Sequence, residues 1–370
     1  MVSSQGLSTI VTPLENKLRK IIKADGPISV SHLMRIAAND TDYGYYQSRD
    51  PFGTFGDFIT SPEITQAFGE IIGLWCLTAW QNAGCPDKTI LIELGPGRGT
   101  LMLDILRTVK KLLPNFMESI ELHLVESSTT LRQQQRLTLK DYNVTWHDFI
   151  NTIPEGPSLI IANEFFDALP IDQYLMTKNG WHKRLITLDP KRNKFSFTTV
   201  PVPKRKVAKF RSEISKAETN SIFERNRLAE KYAESLAKRI FYSGIAALLI
   251  DYGYVKPGFG DTLQAVKSHQ YYDPLTDIGN ADLTAHVDFA NLESIFKETG
   301  VAVHGPVLQR NFLTTLGIEH RTMTLVKNAT AEQALLLIKG CQRLIAPNGM
   351  GSLFKVMAVT PADTSTPEGF

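Results

Sequence analysis

Residues 90–100, Ile-Leu-Ile-Glu-Leu-Gly-Pro-Gly-Arg-Gly-Thr, carry an apolar strand directly into a glycine turn and the start of a helix. Glycines at 95, 97 and 99 permit positive φ, and a turn so placed lets a ligand approach backbone N–H groups. Downstream, short apolar runs recur at Ile120–Val125, Val144–Trp146 and Leu159–Ala162, the first of them separated from Ile90–Leu94 by a helix-like stretch that stops near Pro114. Strand and helix signals in alternation predict a parallel, doubly wound α/β sheet. The strand signal returns at Ile245–Ile250 and, more weakly, at Val301–Val307 and Leu353–Val356.

The chain of 370 residues is long enough for about two domains, and 40 Lys and Arg against 38 Asp and Glu leave a net charge of +2, which argues for no nucleic-acid partner. Cys76, Cys85 and Cys341 lack CxxC spacing, so neither a disulfide framework nor a zinc site is indicated. The apolar runs are too short for membrane insertion. Leu14, Leu18, Ile21 and Ile22 share a helical face, so the chain is expected to open on a folded helix. Asn179-Gly180 reads as a two-residue hairpin turn within Gln173–Ile186, Phe195–Val200 as a third strand, and Ala229–Ile240 as an amphipathic helix. The basic run at 204–211 reads as a solvated linker, and the tail after Val359 as frayed. These signals divide the chain into an N-terminal helical and lid segment (1–80), a core in two pieces (81–170 and 243–360), and an inserted hairpin-plus-helix subdomain (171–242).

Two cofactor classes use a glycine turn after a strand. A dinucleotide fold wants G-x-G-x-x-G, but that third position is Thr100, and the third glycine comes one residue early at Gly99. The G-x-G-x-G pattern preceded by Glu93 suits S-adenosylmethionine, whose ammonium and sulfonium charges favour an acid where a pyrophosphate would not. A carboxylate closing the second strand can accept both ribose hydroxyls, and Glu126 stands there. Asp148, after the third strand, either accepts the adenine amino proton or caps a turn. Asn163, Glu164 and Asp167 follow the Leu159–Ala162 strand, where doubly wound folds place their ligands.

Six blocks, Tyr43–Tyr46, Gly56–Glu63, Glu93–Thr100, Asn163–Pro170, Asp251–Gly253 and Asp282–Phe289, together resemble the MidA-like family of S-adenosylmethionine methyltransferases over nearly the whole chain. The resemblance implies an α/β, Rossmann-like S-adenosylmethionine methyltransferase fold with an N-terminal helical segment and an α+β insertion. It implies S-adenosyl-L-methionine as cofactor, held by Glu93, Gly95, Gly97, Gly99, Thr100, Glu126, Asp148 and Asn163, with Asp57 and Ser61 on a lid. As substrate it implies an arginine of a protein, such as a subunit of respiratory complex I or a bacterial equivalent. A guanidinium offers donors and no free lone pair, so Glu164 and Asp167 are the expected catalytic clamp, with His286 either a proton acceptor or structural. Ser61 and Pro62 also read as the cap and first turn of the helix around Phe68–Ala79.

Two other functions stay open on sequence grounds: an assembly chaperone that binds the cofactor and docks a partner through residues 171–240, and, disfavoured by Thr100 and Glu93, an NAD-type oxidoreductase. No evident presequence opens the chain, which reads as a bacterial cytoplasmic protein, with the mitochondrial matrix the expectation for a eukaryotic one.

Overall fold

A computed structural model describes residues 11–48, 60–207, 216–267 and 270–370. The chain divides into two compact units, one formed by Met1–Pro51, Pro170–Asn226 and Gly258–Ala285, the other by Phe52–Leu169, Arg227–Pro257 and His286–Phe370.

The second unit is built on seven main strands: β1 (Thr89–Leu94), β2 (Ile120–Val125), β3 (Val144–His147), β4 (Ser158–Asn163), β5 (Ile245–Tyr254), β6 (Ala302–Leu308) and β7 (Phe354–Thr360). Their spatial order is 6-7-5-4-1-2-3, and β1 to β5 run parallel while β7 is antiparallel to both β5 and β6. Strand order reverses between β1 and β4, so the carboxyl ends of these two strands border the crevice where such sheets bind ligands. Alternate residues of each strand serve opposite faces. Leu91, Leu159, Ile161, Leu248 and Ile250 pack with the helices Gln66–Asn82 and Thr100–Leu112, while Ile90, Ile92, Ile160, Ala247 and Leu249 pack with Arg227–Ser243 and Phe289–Thr299. Sheet strands covered on both faces must be apolar throughout, which is why the runs at 90, 159 and 245 stand out in the sequence.

The first unit holds the opening helix Pro13–Asp25, started by a capping box between Thr12 and Glu15. Leu14, Leu18 and Ile22 are buried there with Leu33, Met34 and Ile186. Its larger sheet is antiparallel, with Gly180–Leu188 at its centre flanked by Asp172–Thr177, Phe195–Pro201 and the two-residue strand Ile28–Ser29. The hairpin turn falls one residue earlier than its sequence suggests: Thr177 pairs with Gly180, leaving Lys178 and Asn179 as the loop, because Gly180 supplies the positive φ of +99° at the first paired position.

The segmental division drawn from the sequence differs from these units, and residues 60–80, expected in the N-terminal segment, belong to the sheet unit. Helix Arg227–Ser243 joins the sheet unit, since Ala229, Ala233, Leu236, Ala237 and Ile240 face the β4–β5 side of the core. Residues 11–48 and 258–285 join the inserted segment. The tail is folded rather than frayed: the Phe370 ring lies 5.5 Å from that of Phe312, and Gly369 takes φ +94°, where a Cβ would meet the Phe312 ring at 2.6 Å.

Candidate active site

The glycine turn leaves β1 with φ values of +63°, +54° and +82° at Gly95, Gly97 and Gly99. Gly99 is the left-handed N-cap of Thr100–Leu112. A Cβ on Gly95 would stand 2.8 Å from Phe165 Cδ2, so both conformation and space require glycine. Gly95→Ala, forced into a left-handed conformation at about 1–2 kcal/mol and against that ring, is expected to weaken S-adenosylhomocysteine binding at least about tenfold in calorimetry. Unchanged affinity in a folded variant would refute this.

Gln135, which sequence reasoning did not single out, ties the glycine turn to the end of β2. Fully buried, it donates from Nε2 to Gly97 O at 2.8 Å and Glu126 Oε2 at 3.3 Å, and accepts from Trp146 Nε1 at 2.8 Å. Glu126 also accepts from Ser128 N at 2.7 Å. Burial lifts its carboxyl to about 7, opposed by the bonds from Ser128 and Gln135. Asp148, expected at the adenine, is exposed and paired with Arg132 at 2.7 Å. Thr100 directs its hydroxyl at Glu63 Oε1, 2.5 Å away. His147 accepts or donates a 2.8 Å bond with His123, in keeping with a structural residue.

At the end of β4, Glu164 is largely buried and itself left-handed, with φ +51°. Its N–H donates to Ile250 O at 2.9 Å, which holds the turn. A non-glycine residue at such a φ costs of order 1–3 kcal/mol and persists only where its surroundings hold it there. Its Oε1 accepts from Ser61 N at 2.7 Å and from Asn163 Nδ2 at 3.3 Å. Ser61 therefore does not cap the long helix: it begins the short turn Ser61–Ile64, and Thr65 caps Gln66–Asn82. Asp57 lies outside the described residues.

Asp251 was visible only as part of a motif, and the structure shows what it does. Buried on β5, it accepts from Phe166 N at 2.9 Å and Asp167 N at 3.2 Å through Oδ2, and from Tyr252 N at 2.9 Å through Oδ1, so it shapes the loop that carries Asp167. Three carboxyls thus gather at one strand end. Burial raises all three; Glu164 reaches about 7, with Asp167 adding to the rise, and Asp251 is held well up by burial and by both neighbours. Tyr252 hydrogen-bonds Asp167, and its ring meets His286 edge-on at 5.6 Å. Burial, then the charge of Lys355, lowers the His286 imidazole, which favours its neutral form near pH 7. In the first unit, Tyr45 is core, Tyr43 is exposed, and Tyr46 donates to Asp282 at 2.9 Å.

Glu93 Oε2, Asn163 Oδ1 and Asp167 Oδ1 are buried oxygens with no hydrogen-bonding partner. Leaving such groups unsatisfied costs about 1–3 kcal/mol each, and these lie at or beyond the ends of β1 and β4. A ligand bearing ammonium and sulfonium charge meets that need, and positive-φ glycines and Glu126 fit its carboxylate and ribose ends. Residues 71–307 match the family model described as "Putative S-adenosyl-L-methionine-dependent methyltransferase". The chain belongs to this family. S-adenosylmethionine is accordingly its cofactor, and the dinucleotide alternative is set aside. Among curated relatives, protein arginine methyltransferase NDUFAF7, mitochondrial, of Danio rerio is 38% identical over 369 residues, covering 94% of this chain and 86% of that protein. The Homo sapiens protein of the same name is 35% identical over 378 residues, covering 95% and 84%. A crystal structure of a superfamily member from Burkholderia thailandensis, bound to S-adenosyl-homocysteine, matches with a TM-score of 0.82 at 26% identity, covering 96% of this chain and 94% of that one. These findings agree with the Rossmann-like methyltransferase fold expected from the sequence. Among the described residues no helix is long and apolar enough to cross a membrane.

Buried acids at the site predict pH-dependent cofactor binding. Burial alone raises Glu93 to about 8, so much of it is protonated at pH 7, and a cationic ligand favours the ionised form. Binding should release protons, and affinity for S-adenosylmethionine should rise between pH 6 and 8 by up to about tenfold per pH unit for each proton released. The unliganded fold should follow the opposite trend: a carboxyl whose folded pKa is raised stabilises below its unfolded value near 4.5, and that stability is lost as pH climbs through about 8. Calorimetry in buffers of different ionisation enthalpy measures the release; heats that do not depend on the buffer would refute it.

Proposed function

We propose that this methyltransferase transfers the methyl group of S-adenosylmethionine to an arginine side chain of a protein. The observation that carries the reading is the Glu164–Asp167 pair at the strand-order reversal, two largely buried carboxyls with one oxygen, Asp167 Oδ1, left unpartnered; the names of the curated relatives support it. The cofactor supplies an activated methyl on sulfonium, so the protein needs no nucleophile of its own.

Glu164 and Asp167 grip the guanidinium N–H fork, which aligns one nitrogen and concentrates electron density on it. As the N–C bond forms and the S–C bond breaks, that nitrogen sheds a proton, which a carboxylate with a pKa raised toward neutrality is suited to take. Alignment supplies a large share of the acceleration, up to about 7–11 kcal/mol in well-oriented cases. Asp251 holds the loop and Tyr252 the Asp167 carboxyl, while neutral His286 walls the pocket behind Tyr252. Glu93, the glycine turn, Glu126 and Asn163 hold the cofactor, with Asp148 and Thr100 at its margins.

Within this reading the protein substrate is a complex I subunit or its bacterial equivalent. The reaction takes place in bacterial cytoplasm, or in the mitochondrial matrix if the chain is eukaryotic. The test is transfer of isotope-labelled methyl from S-adenosylmethionine to purified complex I subunits, followed by peptide mass spectrometry. Label on arginine supports the proposal; label confined to another residue type would overturn it.

A further inference from the structure

The turn Ser61–Ile64 touches both halves of the site. At its start, Ser61 N–H donates to Glu164 Oε1 at 2.7 Å. Two residues later, Glu63 accepts from Thr100 Oγ1 at 2.5 Å through Oε1 and from Arg98 at 3.4 Å through Oε2. Arg98 and Thr100 flank Gly99, whose left-handed φ of +82° sets the start of the following helix. One turn of chain thus bonds to the acidic end of β4 and to the glycine turn after β1.

The turn is itself stiff. Pro62 fixes a backbone angle, Ser61 and Pro62 are buried, and the helix Ala331–Ile345 presses on it through Gly340, where a Cβ would lie 3.0 Å from Ile64 O. An ordinary capping role does not account for these bonds, since Thr65 caps the long helix, and both side-chain partners of Glu63 lie more than thirty residues along the chain.

We propose that the Ser61–Ile64 turn is a strap that holds the glycine turn and the Glu164 carboxyl in a single geometry, with Glu63 as its positioning residue. The proposal rests on the reading that both ends serve methyl transfer, and its test uses binding rather than turnover. Through the strap, damage at Glu164 is felt by the cofactor, and damage at Glu63 by the acidic clamp.

The experiment is a double-mutant cycle read by calorimetric titration with S-adenosylhomocysteine. Glu63→Ala and Glu164→Ala should each weaken binding about tenfold, and the double variant no more than about twentyfold, because both cut one strap. Thr100→Val, which removes the donor from the other side, should match Glu63→Ala, whereas Glu63→Gln keeps an acceptor for Thr100 and should recover most of the affinity. Glu70→Gln breaks an ion pair with Arg321 on the neighbouring helix, 2.6 Å long, and should leave affinity unchanged.

Multiplicative losses of about a hundredfold in the double variant would show Glu164 acting on the ligand directly and overturn the strap. So would an unaffected Glu63→Ala, or a Glu70→Gln loss of the same size. Wild-type protein that fails to bind would overturn the cofactor site and the strap together. If the cycle holds while arginine labelling fails, the strap stands and the acceptor is another group.

Discussion

Glu164→Gln is expected to lower methyl transfer by about 10²–10³-fold, the loss typical of removing one preorganised electrostatic contact. A guanidinium carries only donors, so the amide N–H₂ placed opposite it repels where the carboxylate attracted. Gln retains a carbonyl oxygen for Ser61 N–H, the bond now 2.7 Å long, so S-adenosylhomocysteine affinity should stay within about twofold while turnover falls, the pattern of an interaction made chiefly in the transition state. Asp167→Asn should follow with a smaller loss. Steady-state kinetics with the labelled substrate measure both. Full turnover in Glu164→Gln would remove Glu164 from the clamp. Loss of transfer with complex assembly intact in cells would divide the catalytic from the docking activity and leave the latter to residues 171–240.

Gly253→Ala should cause the largest loss of stability. Gly253 on β5 pairs with Val287 of the short parallel strand Val287–Asp288, so closely that a Cβ would stand 2.1 Å from Val287 O and 2.8 Å from its C and N. These are backbone atoms, which cannot rotate aside, so the strand must separate from β5 or bend. We expect a cost of more than about 3 kcal/mol, above the common range for overpacking, which is roughly 6–12 °C in melting temperature at about 2–4 °C per kcal/mol. Activity should fall as well, because Asp251, two residues away, holds the N–H groups of Phe166 and Asp167. Calorimetric scanning checks it; a melting temperature within about 2 °C of wild type would show that the pairing yields cheaply.

Much of the site was legible because it is local. Positive-φ glycines, a strand running into them, and acids at strand ends are written within a few consecutive residues, and Glu93, Gly95, Gly97, Gly99, Glu126, Asn163 and Glu164 all stand at the ends of β1, β2 and β4 where the sequence places them. Burial on both faces makes the central strands continuous apolar runs, so three of the five parallel strands, at 90, 159 and 245, stand out from composition alone. The hairpin slipped by one residue because either Asn179 or Gly180 can supply turn geometry, and only pairing with Thr177 chooses between them.

What the sequence determined by itself is therefore the α/β class, the cofactor turn, the succession of strands and the acidic strand end, each encoded by residues adjacent in the chain. Only the tertiary structure decided that helix Arg227–Ser243 belongs to the sheet unit, that Gln135 joins Gly97 to Glu126 and Trp146, that Ser61 spends its N–H on Glu164 instead of a helix, and that Asp251 shapes the loop bearing Asp167. These are side-chain and backbone hydrogen bonds, and apolar contacts, between residues from 9 to 103 positions apart. Periodicity and turn chemistry report only a residue's near neighbours; which distant donor meets which buried acceptor is set when the sheet closes and water leaves.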